Sequence, residues 1–236
     1  MVHIGIIPDG NRRWCKKNYY DINNIIEYYE KLLIEFIKKN NKKKKIPKYF
    51  QNVTDISFYV ASIDNMSRND NTKDIIYKII RYIYNNIYKN PKMYLEKLKI
   101  TYNNEQYNKF YNFFNNLNIN FIGELHKLPE DIQKMLNEMK KNIITNKYNL
   151  HFALAYDYYN DIKNYDNENN INYNRKQSNI DLIIRTGGEY RTSGFFPTKS
   201  IYSELFILKK LWPEITYNDF VNTLIKFNKR SRRFGK

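Results

Sequence analysis

Glycine is scarce in this sequence. The chain has 7 glycines in 236 residues, whereas ordinary usage near 7% would place about 16 in a chain of this length. Six of the seven stand in short motifs rich in charged and polar residues, at positions 10, 123, 187, 188, 194 and 235. Because glycine reaches backbone conformations that a Cβ forbids, these positions predict turns with specific backbone requirements.

Cysteine and long apolar runs are nearly absent as well. The single cysteine, Cys15, excludes an internal disulfide framework and is typical of a reducing compartment. We find no apolar run long enough to cross a bilayer and no signal peptide. We therefore expect a cytoplasmic protein, either soluble or peripheral at a membrane surface.

Acidic residues are outnumbered by basic ones. With 40 Lys and Arg against 24 Asp and Glu, the formal net charge is +16, which favours nucleic acid, anionic membranes or phosphorylated substrates as partners. Much of the excess is diffuse lysine, including residues 42–45. Because no pattern of a nucleic-acid-binding module is visible, we do not expect nucleic acid to be the partner.

Short apolar runs alternate with longer helical patterns along the chain. Runs typical of strands occupy residues 3–8, 53–61, 119–122, 150–155, 180–184 and 205–208, and helical patterns occupy 23–39, 73–89, 103–117, 129–144 and 217–229. Residues 163–179 are rich in Asn and lack periodicity, which is typical of an irregular loop. The alternation predicts one α/β domain over residues 1–236, with a central, mostly parallel six-stranded sheet flanked by helices.

A charged turn follows the strand at 180–184. Arg185 and Arg191 flank the pair Gly187 and Gly188, whose amides we expect near a ligand, and two arginines beside such a turn suit a doubly charged phosphate. An ordinary turn with surface ion pairs is the alternative interpretation.

The first strand ends in a similar way, with Asp9 and Gly10 before two arginines. A carboxylate beside a phosphate site suits a divalent cation, which Asp9 could hold together with Glu204 or Glu189. Alternatively, Asp9 only caps the following helix.

Parallel strands end at one edge of a sheet, where open α/β sheets bind ligands. We therefore expect the polar residues that follow the strands to lie together at the mouth of one site, at this edge. They are Asp9, Asn11, Arg13, Asn65, Arg68, Arg185 and Arg191.

Several strings together resemble the cis-prenyltransferases, the family of undecaprenyl and dehydrodolichyl diphosphate synthases. In order they are DGNRRW, SIDNMSR, GELHKLP, DLIIRTGGEYRTSGF, YSEL, LWPEIT and RRFG. The resemblance covers nearly the whole chain. It implies a Mg²⁺-dependent enzyme that condenses isopentenyl diphosphate onto an allylic prenyl diphosphate to give a Z-polyprenyl diphosphate.

The resemblance also implies a role for individual residues. The allylic diphosphate would contact Gly10, Asn11, Arg12, Arg13, Trp14 and Arg68, and isopentenyl diphosphate would contact Arg185, Arg191 and Ser193. Asp9 and Glu204 would hold Mg²⁺, while Asn65 and Ser62 would orient the substrate and help remove its proton. Arg233, Phe234 and Gly235 match a C-terminal motif that reaches a partner's site, which implies a homodimer.

The helical pattern at 73–89 matches, in the family, a helix that walls a tunnel for the growing prenyl chain. Ile76, Ile79, Ile80 and Ile83 are the wall residues that we expect. Packing of the same stripe in the protein core is the alternative.

The sequence departs from the family pattern in the first helix. Counting from Asp9 without a gap, the usual phosphate-binding Arg and His fall on Ile22 and Ile26. A non-catalytic or weakly active partner subunit of a heteromeric prenyltransferase therefore stays open as an alternative function. A basic module for nucleic acid or anionic membranes is the other alternative.

Overall fold

A computed structural model describes residues 1–29, 52–97, 117–141, 143, 148–163 and 178–233. Six strands form one sheet: β1 (Val2–Ile7), β2 (Val53–Tyr59), β3 (Leu117–Ile122), β4 (Tyr148–Ala153), β5 (Leu182–Arg185) and β6 (Glu204–Ile207). Their order is β3-β4-β2-β1-β5-β6, and every neighbouring pair is parallel. The predicted α/β fold with a parallel six-stranded sheet is confirmed.

Six of the seven described α-helices lie between strands along the chain, and the last one follows β6. They are α1 (Asn11–Lys17), α2 (Ile63–Met66), α3 (Thr72–Tyr82), α4 (Pro91–Lys97), α5 (Glu130–Met139), α6 (Tyr158–Lys163) and α7 (Tyr217–Asn228). α3 continues into a π-helical segment, Ile83–Tyr88. A 3₁₀ turn at Ile22–Asn24 leads into helical residues 25–29. None of the helices in the described ranges is long and apolar enough to span a bilayer.

The central strands are buried because both faces of the sheet are covered, one by Leu224 and Phe227 of α7 and the other by Phe195 and Phe196 of the loop after β5. β5 is buried at each of its four positions, and β1 at five of six. This accounts for their continuous apolar sequences, since a strand covered on both faces has no solvent side to alternate with. The rigid centre of the sheet therefore carries the residues that follow β1 and β5.

The predicted helix 129–144 is too long. α5 ends at Met139 because Lys140 adopts an extended conformation and Lys141 pairs with Ile119, the two backbones exchanging hydrogen bonds of 2.7 and 2.9 Å. The second half of the predicted helix 23–39, all of 103–117 except Leu117, and residues 164–177 of the predicted loop lie outside the described residues. Leu117 begins β3 rather than ending a helix.

A buried polar network lies inside the sheet, toward the amino ends of the strands. His3 Nε2 is 2.7 Å from Ser57 Oγ, and its Nδ1 is 2.9 Å from the carbonyl oxygen of Ser178. Because a carbonyl only accepts, Nδ1 carries the proton and Nε2 accepts from the Ser57 hydroxyl. His151 lies beside this pair, with its ring centroid 5.6 Å from that of His3. Burial lowers the pKa of His3.

Candidate active site

The carboxyl ends of β1 and β5 meet because the two strands are neighbours in register, with Ile7 paired to Arg185. Arg185 is the last residue of β5, and its side chain is only 5% exposed. Its Nη2 donates to Asp9 Oδ2 at 2.8 Å. This pair joins the two turns that carry most of the predicted site residues.

The guanidinium of Arg185 also organises the loop that follows. Its Nη1 donates to the backbone oxygen of Arg191 at 2.6 Å and to Ser193 Oγ at 2.9 Å. Its Nε is buried and has no hydrogen-bond partner in the described part of the chain. Asp9, Arg185 and Arg191 are thus brought together, as the sequence pattern predicts, and Ser193, which only the family resemblance implied, lies with them.

The Gly187–Gly188 pair has a different role from the one that we predicted. The amide of Gly187 donates to the carbonyl of Lys210 at 2.7 Å, and that of Gly188 donates to Leu208 at 3.0 Å, so neither amide faces a ligand. Both glycines have a positive φ, 84° and 74°. A Cβ on Gly187 would lie 2.4 Å from Arg13 Nη2. The positive φ, rather than this contact, therefore requires glycine, because the end of the half-exposed Arg13 side chain could move aside.

Arg13 lies between two carboxylates at the mouth. It is 3.4 Å from Asp9 Oδ1 through Nη2 and 3.4 Å from Glu189 Oε1 through Nη1. Glu189 Oε2 in turn accepts from Arg191 Nη1 at 2.6 Å. These side chains are partly exposed, up to 62% for Arg191. Because exposed ion pairs contribute little free energy, their cations can turn to an anionic ligand at small cost.

A cavity of about 730 Å³ opens beside α1. Cations stand on its wall at Arg12, Arg13 and Lys16, and its other lining residues are Cys15, Tyr20, Asp21, Ile22, Asn71, Thr72 and Ile75. Ile22, one of the two departures from the family pattern, therefore lies on this wall. The combination of cations and hydrocarbon suits an amphipathic anion with an apolar tail.

Two residues predicted as contacts of the allylic substrate hold α1 in place. Trp14 is 8% exposed and packs against Tyr28, with ring centroids 4.2 Å apart. Asn11 donates from Nδ2 to the Pro8 carbonyl at 3.1 Å and accepts a hydrogen bond from the Tyr29 hydroxyl. Burial raises the pKa of Tyr29, so this hydroxyl stays protonated and acts as the donor. The structure places Trp14 in the core beneath the helix.

Ser62 and Asn65 form the two halves of a capping box at the start of α2. The Asn65 amide donates to Ser62 Oγ, and the Ser62 amide donates to Asn65 Oδ1, both at 3.1 Å. These bonds use the Asn65 carbonyl oxygen and leave its NH₂ group as a donor. Arg68, two residues past α2, is exposed, and Arg12 connects α1 to the same loop through Asp70 at 2.9 Å.

Glu204 does not join Asp9 within one chain. It is the first residue of β6 and pairs in register with Leu182, three residues before Arg185, or about 10 Å at about 3.3 Å per residue. Its carboxylate contacts Arg230. The prediction of an Asp9–Glu204 metal pair is therefore wrong for a single chain. Glu204 lies at the amino ends of the strands, the opposite edge of the sheet from Asp9.

Arg232, which directly precedes the C-terminal motif, lies at that opposite edge as well. Arg232 Nη1 donates to Asp181 Oδ1 at 2.6 Å, immediately before β5, and Arg233 is exposed. Phe234 and Gly235 lie outside the described residues. Arg233 is therefore not brought to the site of its own chain.

Tyr59 is a site residue that our sequence reasoning missed. It ends β2, and its hydroxyl donates to the Ser193 carbonyl at 3.0 Å. Burial raises the pKa of Tyr59, and hydrogen bonding to Ser62 partly offsets that effect. A tyrosine at the carboxyl end of a predicted strand was the available signal, but the chain has 23 tyrosines, which conceals any single one.

Comparison with known proteins shows which sequences this chain resembles. Residues 7–235 match the family model of undecaprenyl diphosphate synthases. A tritrans,polycis-undecaprenyl-diphosphate synthase (geranylgeranyl-diphosphate specific) of Sulfurisphaera tokodaii is 30% identical over 99% of this chain and 87% of its own. An isoprenyl transferase of Rickettsia felis is 28% identical over 99% of this chain and 94% of its own.

A solved structure shows the same fold. Lavandulyl diphosphate synthase from Lavandula x intermedia, crystallised with dimethylallyl diphosphate, superposes with a TM-score of 0.68. The alignment covers 99% of this chain and 98% of that one at 18% identity.

Proposed function

Because the chain belongs to the cis-prenyltransferase family and is thus a prenyltransferase, we propose that it condenses isopentenyl diphosphate onto an allylic prenyl diphosphate. The product is a Z-polyprenyl diphosphate. The observation that carries this proposal is the Asp9–Arg185 pair, 2.8 Å apart at the carboxyl edge of the sheet, with Arg13, Arg191 and Ser193 around it. A carboxylate among converging cations suits two diphosphates and a divalent metal.

Isopentenyl diphosphate binds to the loop after β5. Arg191 supplies a guanidinium that can turn to a ligand, since its side chain is 62% exposed and, among the described residues, pairs only with Glu189. Ser193 supplies a hydroxyl, and Arg185 supplies buried positive charge from beneath. A guanidinium can contact two phosphate oxygens at once, which an ammonium cannot do.

The allylic diphosphate binds beside α1. Its diphosphate contacts Arg68 and the stretch from Gly10 to Arg13. Its hydrocarbon tail enters the cavity along Ile22 and Ile75. Gly10 lies at the N-terminus of α1 with φ 107°, and no side chain caps that end. The bond that breaks joins the allylic carbon to its diphosphate oxygen, and the new bond joins that carbon to the alkene of isopentenyl diphosphate.

Magnesium is the cofactor that fits the donor set. No group of three or more His, Cys, Asp or Glu in the described ranges could hold a metal by itself. Mg²⁺, however, is commonly held by one or two carboxylates together with substrate phosphates, and within the described ranges Asp9 Oδ1 has only the 3.4 Å contact with Arg13. Asp9 would hold the ion, with Glu189 the nearer second carboxylate. Bound there, it neutralises charge on the leaving diphosphate.

Asn65 and Ser62 orient the reacting diphosphates and help the condensation product lose its proton. Their capping box sets both side chains rigidly after β2. The NH₂ group of Asn65 can donate to a phosphate oxygen, which places that oxygen close to the proton that must leave.

We also propose a homodimer in which the partner subunit supplies the C-terminal motif of Arg233 and Gly235. Arg232 holds the start of that motif at the amino edge of the sheet, away from the site of its own chain. β6 is the last strand of the described sheet, and Tyr190, Ile201, Tyr202 and Leu205 leave apolar side chains exposed near it. Burying such a surface would favour association.

The cellular setting follows from the chemistry of the product. A long polyprenyl chain partitions into a bilayer, and a net charge of +16 attracts the enzyme to anionic membrane surfaces. We propose a cytoplasmic enzyme with peripheral membrane contact.

Incorporation of radiolabelled isopentenyl diphosphate into butanol-extractable product tests the proposal. We expect turnover that requires both Mg²⁺ and an allylic primer. Farnesyl and geranylgeranyl diphosphate should be compared, since the Sulfurisphaera relative is named for the latter. Absence of product with every primer from the pure chain would favour the alternative of a partner subunit and overturn the proposal.

A further inference from the structure

The loop that follows Arg191 has an uncommon backbone conformation. Ser193, Gly194 and Phe196 all have a positive φ, at 53°, 76° and 43°. For residues with a Cβ this region is sparsely populated and costs free energy. The surrounding contacts must therefore hold Ser193 in place for its hydroxyl to face Arg185.

Several of those contacts are visible. Phe195 and Phe196 are buried and anchor the loop in the core. A Cβ on Gly194 would lie 2.8 Å from the Tyr158 ring, so that ring packs directly against the loop backbone. Arg185 holds the backbone oxygen of Arg191 and the hydroxyl of Ser193. None of these contacts reaches the carbonyl of Ser193.

The Ser193 carbonyl is held by Tyr59, whose hydroxyl donates to it at 3.0 Å. The ring of Tyr59 packs against Phe195, with centroids 5.1 Å apart, and lies edge-on to Tyr156 at 6.0 Å. Because β2 carries this ring in the sheet, the hydroxyl has little freedom to move. The peptide group between the two left-handed residues Ser193 and Gly194 is thereby fixed in orientation.

We propose that Tyr59 is a positioning residue for isopentenyl diphosphate: its hydroxyl holds the Ser193 peptide so that Ser193 and Arg191 present their side chains to that diphosphate. This inference rests on the proposed function. β2 leads into α2, where Ser62 and Asn65 lie. The inference gives β2 a second role, on the isopentenyl side of the site. Tyr59 acts through the loop and takes no part in bond making.

The test is Tyr59→Phe, which removes the hydroxyl and keeps the ring. Tyr88→Phe is the matched control, because the Tyr88 hydroxyl also donates to a backbone carbonyl, that of Glu138 at 2.6 Å, remote from this loop. We expect the Tyr59 variant to raise the KM for isopentenyl diphosphate about fivefold to tenfold, with kcat and the KM for the allylic primer within about twofold. The control should leave all three constants unchanged, and thermal melts should show both variants folded.

Calorimetry of isopentenyl diphosphate binding without primer separates the two proposals. Weaker binding to Tyr59→Phe than to the wild-type protein supports the positioning role. Equal binding and an equal KM overturn that role alone, and so does a fall in kcat at unchanged KM, which would place Tyr59 in the chemistry. A wild-type protein that neither binds nor consumes isopentenyl diphosphate overturns the proposed function and this inference with it.

Discussion

Arg185 Nη2 donates to Asp9 Oδ2 across 2.8 Å, and the two residues differ sharply in exposure, 5% against 31%. The buried guanidinium has one carboxylate near it, and that carboxylate points toward the mouth. Asp9 therefore has two roles. Its Oδ2 compensates the buried charge of Arg185, and its Oδ1 is available to a ligand at the mouth. Substitutions at Asp9 separate these roles.

Asp9→Asn should fold and lose turnover by about 100-fold or more, since an amide oxygen still accepts from Arg185 but carries no charge for Mg²⁺. Asp9→Ala should lose activity similarly and also lose about 3 kcal/mol of stability, because the buried charge of Arg185 then has no carboxylate beside it. Steady-state assays and urea unfolding measure the two effects. A near-normal rate in Asp9→Asn would remove Asp9 from the metal site.

The two arginines of the loop should respond differently to lysine. Arg191→Lys should raise the KM for isopentenyl diphosphate several-fold without changing the melting temperature, because the side chain is exposed and only its bidentate contact is lost. Arg185→Lys should raise that KM and also lower the melting temperature, since one ammonium cannot satisfy Asp9, Arg191 and Ser193 together. Unchanged KM values for both variants would contradict the proposed binding of this diphosphate.

Product length should depend on the side of α3 that faces the cavity. Ile75 lines the cavity and Ile79 packs in the same cluster, so alanine at either position should lengthen the prenyl chain. Ile80 and Ile76 pack instead against the cluster around Ile132 and Leu136.

Ile80→Ala is therefore the matched control for α3. It should cost about 2–5 kcal/mol of stability without changing product length. Chromatography of the dephosphorylated products measures the length. If neither Ile75→Ala nor Ile79→Ala lengthens the product, α3 does not set the end point.

Acid should destabilise the fold through His3. Burial is the largest effect and lowers the pKa of His3 below its ordinary value of 6.5, while the hydrogen bond with the Ser178 backbone partly offsets it. His151 lowers the pKa further, and Asp55 and Asp181 raise it, each by less. As pH falls below 6.5, the unfolded chain binds a proton at His3 that the folded chain does not. The contribution of neutral His3 to folding stability is therefore complete above pH 6.5 and is lost below it. The slope for one proton is at most about 1.4 kcal/mol per pH unit.

Urea unfolding at about pH 7.5 and about pH 5.5 measures this effect. The difference in unfolding free energy should shrink in His3→Gln and persist in His126→Gln, whose histidine is 70% exposed. An equal difference in His3→Gln and wild-type protein would show that the acid sensitivity arises elsewhere.

The sequence by itself determined the α/β alternation, the edge of the sheet at which the candidate site lies, and the family. These properties follow from local signals: runs of branched apolar residues, helical periodicity, and polar residues directly after each strand. The pattern could group Asp9, Arg185 and Arg191 because parallel strands end at one edge, whereas Ser193 was added by the family resemblance.

Only the tertiary structure decided which way each side chain and amide points. The register between β5 and β6 places Glu204 at the amino ends of the strands, away from Asp9. The amides of Gly187 and Gly188 donate to carbonyls of the segment after β6. Packing beneath α1 buries Trp14. The same contacts divide the isoleucines of α3 between cavity and core and bring Tyr59 to Ser193. Each of these depends on a partner distant in the chain, and a local pattern holds no information about which partner a side chain will meet.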